Sequence, residues 1–584
     1  MATTALEEFW DTSKPLLFLG EWCCRYSRKK FWVPLNGSVI ESPWDSMETI
    51  HDAYEYVNDV FERLIPVLTQ AMNDIHGECF SERYWRIQLG PWLLYYLSSV
   101  YDRYVILSIA LAQYPDLVTC GLDESCYYTP RDTYEFVCLI QEDSYNLQLY
   151  SRILSLLDWN FPRRNMEVRL LDSRRNPSRF EKCKKTMLRS FTDLIGRIAG
   201  AKHSIVLENS YFARSFDLKL FIRSSGGVVP ILSEFPVLPF FPSDLQSRNK
   251  LMEALPKAEG FEGILRSILP YDMPQGFLEG FGYIDEIARR TFPVVPKAIF
   301  SANSWYFKDV FKRWAAGCAD MGTQLLGTQH GAIYGILERM PFEAYERSIV
   351  DVYYTWGWEE LAGYARTVAM PATKLTGRKT LGADNRREGI LYVTTSRPRY
   401  LIQFPFPPAH FVTYLEWQSR FIQGVSSQLF PLTRVRPHFA DNGWDITHRL
   451  KDSFPELTFE GWDVPFLISL ERCRLYVCDH HETTFAEALS ANVPTIIFWD
   501  QRLNPVRKEA QSCYDTLHKA GILFYDPQKA AEVLNAVYVD VEGWWNEPMR
   551  QAAREAFCCR FARTSLNAIT EWSKEFSQVA RTGL

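Results

Sequence analysis

In the second half of the chain, short apolar runs alternate with amphipathic stretches. "GILYVTTS" (389–396), "TRVRPH" (433–438), "RLYVCD" (474–479) and "PTIIFWD" (494–500) read as buried strands. Between them "YLEWQSRFIQGVSSQLF" (414–430), "FLISLERC" (466–473) and "TTFAEALSA" (483–491) carry helical periodicity. The first half repeats the plan. "HSIVLEN" (203–209) and "PKAIFSAN" (296–303) predict strands, and "WYFKDVFKRWAAGCADMG" (305–322) predicts a helix before "TQLLGTQHGAIYG" (323–335). Strand and helix alternating in this way imply βαβ units and parallel sheets.

Nearer the start, "ATTAL" (2–6) and "KPLLFLGEWC" (14–23) are short strand candidates. From Met47 to Leu157 the period becomes helical, as in "ETIHDAYEYVNDVFERLIPVLTQAMNDIHG" (48–77), which stops on Gly77. The polar stretch "SRRNPSRFEK" (173–182) predicts a loop. The expected fold is α/β: two Rossmann-like domains facing a cleft, with a helical insertion in the N-terminal half. We expect an N-terminal domain over 1–340 with the insertion at about 45–160, and a C-terminal domain over 341–545. Helices over 546–584 should pack back on the first domain, and a polar linker lies near 340–385 ("ATKLTGRKTLGADNRRE", 372–388).

Length supports this division, because 584 residues exceed what one core holds. A net charge of −6 argues against nucleic acid as a partner. Thirteen cysteines show no CxxC…CxxC framework, and Cys23–Cys24 and Cys558–Cys559 are adjacent pairs unsuited to ordinary disulfides. With no secretory signal in "MATTALEEFW", we expect a reduced, cytoplasmic protein. "WLLYYLSSVYDRYVILSIALAQY" (92–114) has the length of a membrane span, but Asp102 and Arg103 at its centre would each cost about 3 kcal/mol there. It predicts a buried or interfacial helix, which leaves peripheral contact with the inner membrane face open.

In paired α/β sheets ligands bind beyond the carboxyl ends of the strands, and the chemistry-bearing residues fall there. His330 lies in a tight turn before Gly331, as a proton-exchanging group or as a turn histidine only. Arg397 and Arg399 follow one strand and suit an anion; Arg436 and His438 flank Pro437 at the end of another. In "CDHHETTFAEALSANVPTIIFWD" (478–500), His480 and His481 point to opposite faces if extended and make a poor metal site, so no metal is expected. Thr484 and Glu487 match a capping box. Thr483 and Thr484 also stand at a helix N-terminus after a parallel strand, where free amides and the helix dipole favour a phosphate. Glu487, one turn on, could accept hydrogen bonds from ribose hydroxyls.

"GTQHG", "RPHF" and "DHHETTFAEALSANVPTIIFWD", in this order, resemble bacterial surface-polysaccharide glycosyltransferases of the GT-B architecture. The chain resembles a family of O-antigen-locus transferases whose members carry blocks similar to its "TTALEEFWDTSKPLLFLGEWC" (3–23) and "RYWRIQLGPW" (83–92). More distantly it resembles capsule Kdo transferases, bacterial polysialyltransferases and CDP-glycerol glycerophosphotransferases. The resemblance implies transfer of a nonulosonic or ulosonic acid (pseudaminic acid, sialic acid or Kdo) from a CMP-activated donor. The acceptor would be a glycan, glycolipid or glycoprotein, and no cofactor is implied.

The resemblance gives His438 to the donor phosphate, together with Thr483 and Thr484, and Glu487 to the nucleotide-binding helix. His330 is the acid/base or acceptor-side histidine. The departures are Phe439 after His438, where relatives have proline, and threonines where they often have serines. Arg397 and Arg436 are further candidates for the nucleotide, and His76, Trp85, Arg86 and Trp92 for the acceptor. No DxD-type signature holds a divalent cation, so metal independence is expected. A polyol-phosphate transferase, a nucleotide-sugar epimerase and a non-enzymatic glycan-assembly scaffold are the alternatives.

Overall fold

The computed structural model describes residues 1–166, 204–231, 236–292, 294–359 and 365–581; the predicted loop at 173–182 lies outside them. Two six-stranded parallel sheets carry the architecture. The C-terminal sheet contains β9 (Ile390–Val393), β10 (Thr433–Arg436), β11 (Thr458–Phe459), β12 (Leu475–Cys478), β13 (Thr495–Phe498) and β14 (Leu523–Phe524). Their order is β11-β10-β9-β12-β13-β14, so the winding reverses between β9 and β12. That is the doubly wound dinucleotide order. Residues of β9, β12 and β13 are buried throughout, because helices cover both faces of a parallel sheet.

The N-terminal sheet contains β3 (Ile205–Glu208), β4 (Val228–Ile231), β5 (Ala298–Ser301), β6 (Gln324–Thr328), β7 (Val352–Thr355) and β8 (Arg366–Ala369). Its order is β8-β7-β6-β5-β3-β4, with the reversal between β3 and β5. A domain boundary at 340 is therefore misplaced, since β7 and β8 complete the first sheet. The polar linker at 372–388 does join the sheets. Among the described residues, the early strands β1 (Leu16–Phe18) and β2 (Gly37–Val39) pair only with each other, and Ala2 contributes a single bridge to Phe18. "ATTAL" is thus not a strand, and the helices that follow precede the six-stranded sheet rather than interrupt it.

Those helices are α1 (Met47–His76), α2 (Glu82–Gln113) and α3 (Asp143–Leu156). Ser46 caps α1 by accepting from the Thr49 amide, and Gly77 at φ 67° closes it in the left-handed region. Helix α2 is apolar nearly all round and lies inside the molecule. Its charges are answered internally. Asp102 pairs with Arg103 at 2.9 Å and accepts from the Trp44 indole at 2.6 Å, while Arg103 donates to Asn146 and to the Leu401 carbonyl. The segment 92–114 is therefore mostly buried, and only its last residues, 112–114, are exposed. No helix among the described residues is long and apolar enough to cross one.

The last helix, α9 (Ala568–Arg581), returns to the first sheet. Trp572 and Phe576 pack on Phe300 and Tyr354, and the Trp572 indole donates to Pro371 O at 3.0 Å.

Candidate active site

On the N-terminal side, the chain leaves β6 through Gln329, His330 and Gly331. Buried Gln329 shapes the turn: its Nε2 donates to Gly331 O at 2.8 Å, and its Oε1 accepts from Trp356 N and Trp358 Nε1. That anchoring presents His330, whose side chain is 19% exposed. His330 Nε2 lies 2.9 Å from Oε1 of Glu346, which is fully buried on α4 (Pro341–Ile349). The Tyr306, Tyr334 and Tyr353 hydroxyls donate to the same carboxylate, the last at 2.9 Å. Burial, reinforced by Glu346, pushes all three phenols well above their ordinary range, so they remain donors. Nε2 also lies 2.8 Å from the Tyr334 hydroxyl; in the tautomer whose Nε2–H is directed at Glu346, Nδ1 is the ring atom left to accept a proton.

The end of β3 faces the same histidine. Asn209 and Tyr211 adopt φ values of 50° and 63°, rare for residues with side chains. Tyr211 stands edge-on to His330 with ring centroids 5.8 Å apart, and its hydroxyl accepts from Asn303 Nδ2 at 2.7 Å. Backbone strain of this kind costs about 1–3 kcal/mol per residue, and here it lies at the winding reversal of the sheet.

On the C-terminal side, the loops after β9 and β12 meet at the reversal. Arg397 pairs with Glu482 at 2.7 Å, and Thr395 Oγ1 donates to the other carboxylate oxygen at 3.0 Å. Burial opposes ionisation of Glu482, but Arg397, His480 and His438 prevail and hold it at about 2. Burial drives His480 down to about 4 and His481 to about 3, so both are neutral at pH 7. Asp479 accepts from Tyr392, Tyr414 and Gln418, yet burial raises it to about 7.

Thr395, Arg397, Tyr414, Asp479, His480, His481 and Glu482 line an open cavity whose apolar wall includes Phe406, Phe411, Trp417 and Trp499. His480 Nε2, His481 Nδ1 and Trp499 Nε1 are buried there without a hydrogen-bond partner. His410 Nε2, on another lining residue, is likewise unpartnered; buried polar groups are usually satisfied, so four such atoms around one cavity mark a place for a ligand. The adjacent histidines, expected only to line the cleft, are among its most suggestive members. Among the described residues, no group of three or more His, Cys, Asp or Glu is placed to hold a metal ion.

The two sides converge. Helix α6 (Thr483–Ser490) starts so close to the His330 turn that a Cβ placed on Gly331 would lie 3.6 Å from Thr483 Oγ1. Further along the cleft, Leu337 bridges to Val506, Arg507 Nε donates to Leu337 O at 2.7 Å, and Arg507 pairs with Glu343 at 2.8 Å.

Other expected site residues are placed elsewhere. Arg436 is buried in a 2.7 Å pair with Glu460, because its strand is covered on both faces and a charge there needs an internal partner. Glu487 is buried against Lys374 at 3.3 Å and Arg378 at 3.2 Å of the linker, so it ties α6 to the junction and does not line the cavity. The capping box is not formed: the N-cap is Glu482, without a side-chain cap bond, and the Thr484 hydroxyl is buried beside Tyr476. Arg399 is a structural partner of Asp143 at 2.7 Å.

The four acceptor-side candidates belong to the helical core. Trp85 and Trp92 are fully buried, His76 stacks on Phe281 and binds Phe277 O, and Arg86 pairs with Glu62 and Glu82. The residues that the sequence did not reveal are Glu346, its three tyrosines, Tyr211, Glu482 and the cavity's aromatic wall.

Two doubly wound domains with a polar cleft between their strand ends define a protein of GT-B-like architecture. The chain belongs to the LIC12162 family transferases, a match that runs over residues 1–576. No curated protein matches it. Among solved structures it is similar to the spinosyn forosaminyltransferase SpnP, at 13% identity over 65% of this chain and 99% of that one, with a TM-score of 0.33. It is also similar to an α,α-trehalose-phosphate synthase (UDP-forming) from Burkholderia vietnamiensis, at 10% identity over 65% of this chain and 100% of the other, with a TM-score of 0.35.

Proposed function

We propose that this transferase is a glycosyltransferase that moves a nonulosonic or ulosonic acid, such as pseudaminic acid, sialic acid or Kdo, from a CMP-activated donor to a glycan acceptor. The observation that carries this reading is the meeting of the His330–Glu346 dyad with the start of α6 at Thr483. One side offers a base and the other a cradle for a leaving phosphate. His330 Nδ1 removes the proton of the acceptor hydroxyl, whose oxygen bonds to the anomeric carbon. The bond from that carbon to the CMP phosphate oxygen breaks, and its electron pair leaves on the phosphate. The Thr483 hydroxyl, the α6 amides, His438 and Arg397 stabilise that charge.

The cavity takes the sugar. Its aromatic faces suit the carbon skeleton, its open ring nitrogens suit hydroxyls, and Arg397 suits a carboxylate. Because fixed cations and amides supply the stabilisation, EDTA should leave the rate unchanged. Incubation with CMP-, CDP- and UDP-linked donors tests the reading through nucleotide release, expected from CMP donors and lost in His438→Ala. Release from none of them, with no nucleotide-induced thermal shift, overturns it.

A further inference from the structure

Beyond β10 the chain exposes Phe439 (71%), and beyond β11 it exposes Trp462 (51%). Single exposed aromatics are common and need no explanation. These two, however, are mounted together. Their ring centroids are 5.6 Å apart at 77°, forming a corner, and His438 sits in it at 4.3 Å from Phe439 and 6.4 Å from Trp462.

Trp462 is also fixed in place. Its indole N–H donates to Pro437 O at 2.9 Å, and the Arg436 guanidinium lies over its ring at 4.6 Å. Arg436 is itself held by Glu460 at 2.7 Å, with Ser469 Oγ at 3.3 Å. A buried ion pair thus backs the indole, while half of the side chain remains open to solvent. Such fixing lowers the ordering cost of stacking a planar ligand. The corner lies at strand ends of the nucleotide-type sheet and shares its loop with His438, whose charge is felt by Glu482 and His480 at the start of α6. The cavity beside that helix start, with its open ring nitrogens, suits a hydroxylated ring; this exposed corner of two flat aromatic faces suits a heterocycle.

We propose that Phe439 and Trp462 form the stacking platform for the nucleobase of the donor. This rests on the glycosyltransferase reading and adds to it the residues that grip the base. Base–aromatic stacking tolerates different bases, so the platform supplies affinity, and discrimination among bases must come from edge contacts.

Calorimetric titration with CMP and with base-free ribose 5-phosphate tests the assignment on wild type, Trp462→Ala, Trp462→Phe and Phe439→Ala. Trp462→Ala should weaken CMP by about 5- to 150-fold, the range typical of one stacked base, and leave ribose 5-phosphate unchanged. Trp462→Phe should restore most of the CMP affinity, and Phe439→Ala should show a smaller loss of the same selectivity. Equal weakening of both ligands, unchanged CMP affinity, or a raised KM for the glycan acceptor in place of a CMP defect would each overturn the platform. If wild type releases CMP from its donor in those cases, the glycosyltransferase reading stands without it. A wild type that neither binds CMP nor releases it removes both.

Discussion

Glu346→Gln is the sharpest test of the dyad. The carboxylate accepts from His330 Nε2, Tyr306 and Tyr334 on one oxygen and from Tyr353 on the other. Glutamine keeps the volume but replaces one acceptor by a donor. If the new NH₂ faces Tyr353, one buried phenol is unpaired, at about 1–3 kcal/mol. A protein with 5–15 kcal/mol of stability survives that, whereas alanine would strand three phenols at once. If the NH₂ faces His330, Nε2 becomes the acceptor, the proton moves to Nδ1, the base is lost, and Tyr306 and Tyr334 lose their carboxylate acceptor as well. In either case the imidazolium formed in the reaction loses its counter-charge. Positioned general-base catalysis contributes about 10²–10⁴-fold, or roughly 3–5 kcal/mol of barrier, and kcat should fall within that range. Initial rates of CMP release with acceptor present, donor affinity by calorimetry and the Tm are the measurements. Donor affinity should be unchanged, and Glu346→Gln/His330→Ala should be no slower than His330→Ala, since the two residues act as a unit. A folded Glu346→Gln protein whose kcat lies within about threefold of wild type would refute the base assignment.

Further expectations concern charge, grip and core. Burial raises Asp479 to about 7, so its protonated form is favoured by folding: the stabilisation is complete below the unfolded value of about 4 and is lost as pH rises through 7. Asp479→Asn should therefore raise the Tm at pH 8 and flatten its decline between about pH 4 and 7, and an unaltered profile by calorimetry would contradict this. Glu482, held at about 2, works in the opposite direction: its contribution is present above about 4 and lost as pH falls towards 2. Thr483→Val removes a hydroxyl directed at the proposed phosphate and should raise the donor KM about tenfold or more, with little change in Tm. Trp92→Ala opens a hole in the helical core and should cost about 3–5 kcal/mol in denaturant unfolding, while the acceptor KM of the folded fraction stays unchanged.

The parallel strands of both sheets were legible because strands covered on two faces read as continuous apolar runs, and their ends located His330, Arg397, His438 and Thr483. What local pattern could not supply was competition from distant residues. Thr484 and Glu487 match a capping box, but Lys374 and Arg378 are more than a hundred positions away in sequence and take the carboxylate instead. Arg436 and His438 are two residues apart, yet Arg436 lies within a strand covered on both faces and His438 beyond its end, so only one can meet a ligand. Trp85 and Trp92 suggested sugar stacking, but both lie on the faces of their helix that the core encloses.

One signal was present and unread. Glu346 lies between Phe342 and Ile349, at i−4 and i+3, on the buried face of an amphipathic helix. An acid on such a face must be compensated inside the protein. That alone does not mark a site, for Asp102 is equally enclosed and its network of Arg103, Trp44, Asn146 and Leu401 closes on itself in the core. Glu346 differs because one of its partners is an imidazole at the surface of the cleft. A buried charge whose hydrogen bonds all end in the core holds the fold together; one whose hydrogen bonds reach a titratable ring in a cleft can pass the effect of its charge to a reacting proton.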